Sequence, residues 1–417
     1  MPSQSQPKQD QIIQRLQKIG LDVQALPSFA QLIGEEELVD KLVPVPAQNF
    51  LGRAACDVAQ TEACDSYVGR TVLVSGAGGS IGSELCRQLL SCRPARLVLY
   101  ELSELALYTV HQELEQLVEG SGVELVPVLG SVGEPHEVRR VLQNHQVQVV
   151  LHAAAYKHVP LVEANPLPGL ANNVLGTETL ARAAAEAQVE RFILISSDKA
   201  VNPTNVMGAS KRLAELVEQD IASRCADTVF AAVRFGNVLG SSGSVVPLFQ
   251  DQVSRGGPVT VTDVAVKRYF MTITEAVHLV LQAGADARGG EVFVLDMGAP
   301  MPILQLAQQV IKSAGYTVRD AQTPDGDIAI EFIGLRPGEK LEEELTRCQE
   351  LTTTQHTKIF CAREQGLSEI EVASMLRGLR QAIANSDEGA ARLVIRRWVE
   401  GYHQPRTGCK SALGQTR

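Results

Sequence analysis

From Thr71 onward, short apolar runs alternate with segments whose apolar residues recur every three or four positions. TVLVSG ends in glycines, and SIGSELCRQLLSC behind it follows a helical period. ARLVLYE reads as a second strand and SELALYTVHQELEQLV as the helix after it. VELVPVLGS, VQVVLHAAA, RFILISS and TVFAAVRFGN repeat the strand signature, with helical segments between them. Strands alternating with helices of this length predict a parallel sheet covered on both faces. Beyond Gly236 the alternation loosens: VTVTD, EVFVLDM and IAIEFIG read as strands, PILQLAQQVIKSAG and SEIEVASMLRGLRQAIANS as amphipathic helices.

The same pattern divides the chain. Ile12, Ile13, Leu16 and Ile19 recur at helical spacing and a second amphipathic stretch follows, so residues 1–65 read as an N-terminal helical extension. Residues 66–235 form the predicted dinucleotide-binding unit, with elements from about 262–296 returning to it. Residues 236–400 are assigned mainly to a smaller C-terminal substrate-binding α/β domain, and 401–417 to a polar tail.

Composition agrees with this architecture. Of the 417 residues 45% are apolar, only 4% are aromatic, and Ala, Val and Leu dominate, which favours buried parallel strands over an all-β sandwich. A net charge of −10 argues against a nucleic-acid partner. The eight cysteines show no C-x-x-C pair and no zinc-ligand spacing, so no metal site is expected. They read as free thiols in a reducing cytosol, with a pair such as Cys86 and Cys92 the less favoured alternative. The polar start MPSQSQPKQDQ is unlike a signal peptide, and no run reaches the ~18 apolar residues of a membrane span. The expectation is a soluble cytoplasmic protein.

Candidate chemistry begins where the first strand turns into its helix. Gly76, Gly79 and Gly82 give a G-x-x-G-x-x-G spacing around Ser80 and Ile81. The first glycine permits a tight turn, the second lets backbone N–H groups approach a pyrophosphate, and the third lets the helix pack closely on the sheet. Glu101 ends the next strand about 20 residues on, where a carboxylate accepts hydrogen bonds from ribose hydroxyls and repels a 2′-phosphate. These features predict a Rossmann-type doubly wound sheet that binds NAD rather than NADP.

HAAAYKHVPLVE, SSDKAVNPTNVMGASKR, RFGNVLGSSGSVVPLF, KRYFMTITEA and GLRPGEKLEEEL narrow this further. Together with the glycines they resemble the nucleotide-sugar dehydratases of polysaccharide biosynthesis, in particular UDP-N-acetylglucosamine 4,6-dehydratases of the extended short-chain dehydrogenase/reductase superfamily. The resemblance runs from about Leu51 to about residue 365. Longer members carry N-terminal membrane helices and an additional domain. The opening of this chain resembles the end of that region without its membrane part, as in a soluble short member or a truncation.

The resemblance implies hydride removal from C4 of a UDP-sugar, loss of the C5 proton with the C6 hydroxyl, and hydride return to C6. Within SSDK it implies Asp198 as the acid for the C6 hydroxyl and Lys199 as the base for C5, a role that calls for a lowered lysine pKa. Relatives outside this branch use Tyr-x-x-x-Lys; here Met207 precedes Lys211 by four residues. Lys211 is then left to hold the nicotinamide ribose, and Ser197, Lys199 or a water ordered by Asp198 to deprotonate the C4 hydroxyl. Ser131, Val132, Ala153 and Ala154 are further cofactor candidates. Lys157, Asn173, Arg234, Asn237, Arg268 and Arg336 are the substrate candidates, since guanidinium pairs well with phosphate oxygens. Homo-oligomerisation is implied by analogy. Two rivals stand beside the dehydratase: a UDP-sugar 4-epimerase, which wants the tyrosine that Met207 replaces, and a non-catalytic NAD-binding scaffold, which has no need of Asp198, Lys199 and Lys211 together.

Overall fold

Six apolar runs become six parallel strands: β1 (Thr71–Ser75), β2 (Arg96–Glu101), β3 (Glu124–Leu129), β4 (Val149–His152), β5 (Arg191–Ile195) and β6 (Val229–Arg234). The structure, a computed structural model, describes residues 61–347 and 351–402. The first sixty residues of the expected extension and nearly all of the polar tail lie outside the described residues. Every residue of β1 and β4 is buried, as it must be in a sheet covered on both faces.

Three short strands follow, β7 (Asn237–Leu239), β8 (Val259–Val261) and β9 (Lys267–Arg268), then β10 (Phe270–Thr272) and β11 (Glu291–Leu295). β12 (Met301–Pro302), β13 (Val318–Arg319), β14 (Ile328–Phe332), β15 (Leu351–Thr353) and β16 (Ile359–Ala362) complete them. The central sheet runs β3-β2-β1-β4-β5-β6-β11-β16-β15. Its order reverses between β1 and β4, the switch point where doubly wound sheets bind ligands outside the carboxyl ends of the strands. The fold is the Rossmann-type α/β architecture expected. One difference is the far edge: β16 runs antiparallel to β11, and β15 antiparallel to β16.

The faces of this sheet hold separate cores. Helices Pro135–Asn144, Gly176–Glu186 and Val206–Arg224 contribute to one face, and Ser80–Ser91, Glu104–Val118 and Ile273–Asp286 to the other. A third apolar cluster joins β8 and β14 to helices Val245–Ser254 and Ile303–Ser313, apart from the central sheet. Helices Glu369–Ala384 and Glu388–Trp398 do not join that lobe. They seat Val372, Met375, Leu379 and Ile395 in the first face of the main sheet, beside Leu213 and Val217. Their apolar stripes were legible; the face that receives them was not.

The cysteines depart from expectation. Cys64 and Cys92, 28 residues apart, are joined by a disulfide with their Cα atoms 4.8 Å apart. Cys92 caps the helix that returns beside the turn before β1, a proximity that linear spacing does not encode. Cys86, Cys225 and Cys361 are free thiols.

Candidate active site

The glycine turn is built by exclusion. Gly76 has φ +67°, and a Cβ there would meet the Ala154 backbone at 2.8 Å. At Gly82 a Cβ would lie 2.0 Å from the Gly76 carbonyl oxygen. The helix Ser80–Ser91 can therefore start against the strand end only with glycine at these points, its free N–H groups and positive dipole end turned to the cleft. Glu101 holds the turn from the neighbouring strand: Gly78 N–H donates to its Oε2 at 3.0 Å, and the N–H groups of Leu102 and Ser103 donate to its Oε1 at 2.9 Å. Glu101, Ser131, Val132 and Ala154 line one cavity of about 250 Å³ with Gly76 and Gly79. Tyr100 shapes its floor by donating to the Ser131 carbonyl at 2.8 Å.

A second cleft of about 420 Å³ opens past Ala153 and Ile81. Ser197, Lys199, Met207, Lys211 and Asn237 line it, and so do Lys157, Arg268 and Arg336. Most of the residues expected to act together are thus brought together. Lys211 Nζ donates to the Ile195 carbonyl at 2.9 Å, and burial pulls its pKa down to about 8. Met207, one helical turn earlier, is 2% exposed and presents a thioether where a proton acceptor would otherwise stand. Ser80 meets the loop after β7, its Oγ accepting from Ser242 N–H at 3.0 Å.

Three expectations need correction. Arg234 does not reach the cleft: it is fully buried, donates to Glu215 from Nε and Nη2, and pairs with Glu364 at 2.5 Å. Asn173 does not face a ligand either. Its amide clamps the loop that carries Lys157, accepting from Tyr156 N–H at 2.8 Å and donating to Tyr156 O at 3.0 Å and Ser210 Oγ at 2.9 Å. Asp198 is 0% exposed and stands behind the wall rather than on it. Its Oδ1 accepts from Ser197 Oγ at 2.8 Å and Lys199 Nζ at 3.0 Å, while Oδ2 is enclosed without a hydrogen-bond partner.

Lys199 also fails the condition set for a base. Burial alone would lower its pKa, but Asp198 and Glu343 outweigh burial and raise it, so the side chain is held as an ammonium. Its Nζ donates to Asn237 Oδ1 at 3.0 Å as well. Arg268 is partly committed to the loop opposite, donating to the carbonyls of Leu341 at 3.0 Å and Lys340 at 2.8 Å. Glu343 lines the cleft together with Glu339, and the sequence reading did not single it out. Its motif was visible, but in a run of three glutamates, 342 to 344, period alone does not say which one turns inward.

Comparison with known proteins places the chain in a family. Residues 72–364 match the family described as "Polysaccharide biosynthesis protein". The capsular polysaccharide biosynthesis protein CapD of Staphylococcus aureus is 44% identical over 89% of this chain and 61% of its own length. The chain therefore spans about three fifths of that relative. A UDP-glucose 4-epimerase of Rickettsia akari is 31% identical over 68% of this chain and 80% of its own length. The solved structure of Pen from Bacillus thuringiensis superposes with a TM-score of 0.63 at 31% identity, covering 71% of this chain and 89% of that one.

Proposed function

The chain belongs to the polysaccharide biosynthesis protein family, and from that premise we propose that it is an NAD-dependent 4,6-dehydratase of UDP-N-acetylglucosamine. The residues fit the cofactor. Gly76, Gly79 and the start of the Ser80 helix would take the pyrophosphate, Glu101 the adenosine ribose and Lys211 the nicotinamide ribose. When bound, NAD accepts a hydride from C4 of the sugar and returns it to C6.

One observation carries the reading: Ser197, Lys199 and Lys211 line a single cleft with a methionine, not a tyrosine, one turn before Lys211. An epimerase needs proton transfer only at the C4 hydroxyl, the task a tyrosine in that place would perform. A dehydratase needs in addition an acid and a base for C6 and C5, and the cleft is charged beyond the epimerase requirement by Lys199 and Glu343. The named epimerase among the relatives is the reason to keep that second reading in the test. Uridine diphosphate would meet Arg336 and Arg268 on the opposite wall, Arg268 with the donors its loop leaves it.

The test is mass spectrometry of UDP-N-acetylglucosamine incubated with the protein in heavy water. Loss of one water with deuterium at C5 is the expected result. Conversion to the galacto isomer without water loss would mean epimerisation, and binding without turnover would mean a scaffold.

A further inference from the structure

The short helix Val159–Ala164 carries cleft residues at one end and a carboxylate at the other. Val159 and Pro160, in its first turn, line the cleft with Lys157 and His158 just before it. Glu163, in its last turn, ends the motif HAAAYKHVPLVE and has no part in the roles given above. Its Oε2 accepts at 2.8 Å from the N–H of Val206, the first residue of helix Val206–Arg224. N–H groups of a first helical turn have no partner within the helix, and a carboxylate there also meets the positive end of the dipole. The next bonds of that turn are local: Asn205 Oδ1 accepts from Gly208 N–H at 2.8 Å and Asn205 O from Ala209 N–H at 3.0 Å. Among the described residues, Glu163 is the side chain that reaches this turn from another element. One carboxylate thereby joins two walls of the cleft, Lys157–Pro160 and Met207–Lys211.

A shift of the helix start would be felt directly in the site. Met207 follows Val206 and is 2% exposed. Gly208 comes next, and a Cβ there would lie 2.2 Å from the Lys199 carbonyl oxygen, so the helix rests on the main chain of Lys199. Glu163 is itself held from a distant part of the chain. Arg392, in helix Glu388–Trp398, donates from Nη1 to Glu163 Oε1 at 2.6 Å and from Nη2 to Glu163 O at 3.1 Å. One guanidinium thus fixes both the side chain and the main chain of the glutamate and leaves Oε2 for Val206. Burial alone would lower the pKa of Arg392, but Glu163 and Tyr402 outweigh it, so the guanidinium stays charged. The two side chains are only 18% and 15% exposed, which shields the pair from screening by salt.

We propose that Glu163 is a positioning residue for this cleft: it fixes the start of helix Val206–Arg224, and with it Met207 and the main chain of Lys199, while Arg392 holds it in that place. Helix Glu388–Trp398, which lies beyond the residues that match the family, then acts on the cleft without lining it. The effect on rate rests on the dehydratase reading above; the effect on cofactor affinity, through Lys211 of the same helix, rests on the dinucleotide site alone.

The experiment measures kcat and KM for water loss from UDP-N-acetylglucosamine, NAD affinity by titration, and the melting temperature. It compares wild type with Glu163→Ala, Glu163→Gln, Arg392→Met, Arg392→Lys and Arg380→Met. Arg380 is the control, since it ties the neighbouring helix Glu369–Ala384 to Glu178 at 2.5 Å and neither residue lines the cleft. Expected for Glu163→Ala is a fall in kcat of about 10-fold to 100-fold with KM little changed. NAD affinity should fall by about 3-fold to 10-fold, the net contribution of one hydrogen bond. Glu163→Gln keeps an acceptor for Val206 N–H and should recover part of both losses, as Arg392→Lys should relative to Arg392→Met. Arg392→Met should add nothing in the Glu163→Ala background, and Arg380→Met should lower the melting temperature alone. A lower melting temperature in Glu163→Ala with kcat and NAD affinity unchanged would make Glu163 a structural part and overturn the proposal. So would an equal loss of kcat in Arg380→Met. A wild type that binds NAD and never releases water overturns the dehydratase reading instead. NAD affinity then decides the role of Glu163: constancy in Glu163→Ala overturns it, and a fall that Glu163→Gln recovers upholds it.

Discussion

Arg234 and Glu215 form a two-point ion pair, Nε to Oε1 at 2.7 Å and Nη2 to Oε2 at 2.6 Å, on side chains 1% and 0% exposed. Around it Arg212 meets Glu364 at 2.8 Å and Glu215 at 3.1 Å, and Ser196 Oγ donates to Glu215 Oε1 at 2.6 Å. The box ties the ends of β5 and β6 to the helix that carries Met207 and Lys211. Burial alone would raise the pKa of Glu215, but the two guanidiniums outweigh it and keep the group ionised. Ser196 immediately precedes Ser197, so the box anchors the start of the Ser197–Lys199 turn.

Removing one member strands a buried charge. Arg234→Met is expected to cost about 3–5 kcal/mol of folding stability, measured by urea unfolding. Arg336→Ala, on the cleft rim, should leave stability within about 0.5 kcal/mol and weaken UDP binding instead. The opposite pattern would return Arg234 to the ligand site.

Gly82→Ala tests the glycine turn. Its Cβ would overlap the Gly76 carbonyl, so the helix must move off the strand end. The expected result is destabilisation of about 1–3 kcal/mol together with loss of NAD binding, followed by thermal melting and by titration with the dinucleotide. Gly120→Ala is the control for stability, since nothing lies within 4 Å of a Cβ there, although its φ of +74° carries a strain of its own.

Met207 and Lys211 should separate by ligand. Lys211→Met is expected to weaken NAD binding by about 10-fold, equivalent to about 1.4 kcal/mol, read by titration calorimetry. Met207→Leu, close in volume, should leave that affinity nearly unchanged. A similar loss in both would give the methionine sulfur a direct role.

His152 predicts a pH dependence of stability. It is enclosed with its ring nitrogens 2.7 Å from Ser75 Oγ and 2.9 Å from Thr177 Oγ1, and burial and the Lys211 charge pull its pKa from 6.5 to about 3. The unfolded chain then binds more protons between those values, so stability rises with pH across that window and is lost as pH falls. At pH 5 the loss relative to pH 7 should be about 2 kcal/mol from this residue alone. Unfolding of wild type and His152→Gln at the two pH values checks it; the variant should be less stable at pH 7 but lack this share of the acid sensitivity.

The apolar alternation was enough to determine the order of β1 to β6 and their helices. A five-residue buried run and a 3.6-residue stripe are local properties that few folds can accommodate in alternation. The glycines at 76, 79 and 82 were legible for the same reason: a tight turn into a helix excludes other residues on local geometry. What tertiary structure alone decided is which charges face water, ligand or one another. Arg234 and Arg268 look alike in sequence, yet one closes a buried box and the other lines the cleft, because their partners Glu215, Glu364 and Glu339 arrive from distant segments. Asp198 and Glu343 differ likewise, one enclosed behind the cleft wall and the other on it, and Cys64 meets Cys92 only once helix Ser80–Ser91 has folded back. Electrostatic pairing depends on separations of a few ångströms between residues far apart in the chain, and periodicity carries no information about those.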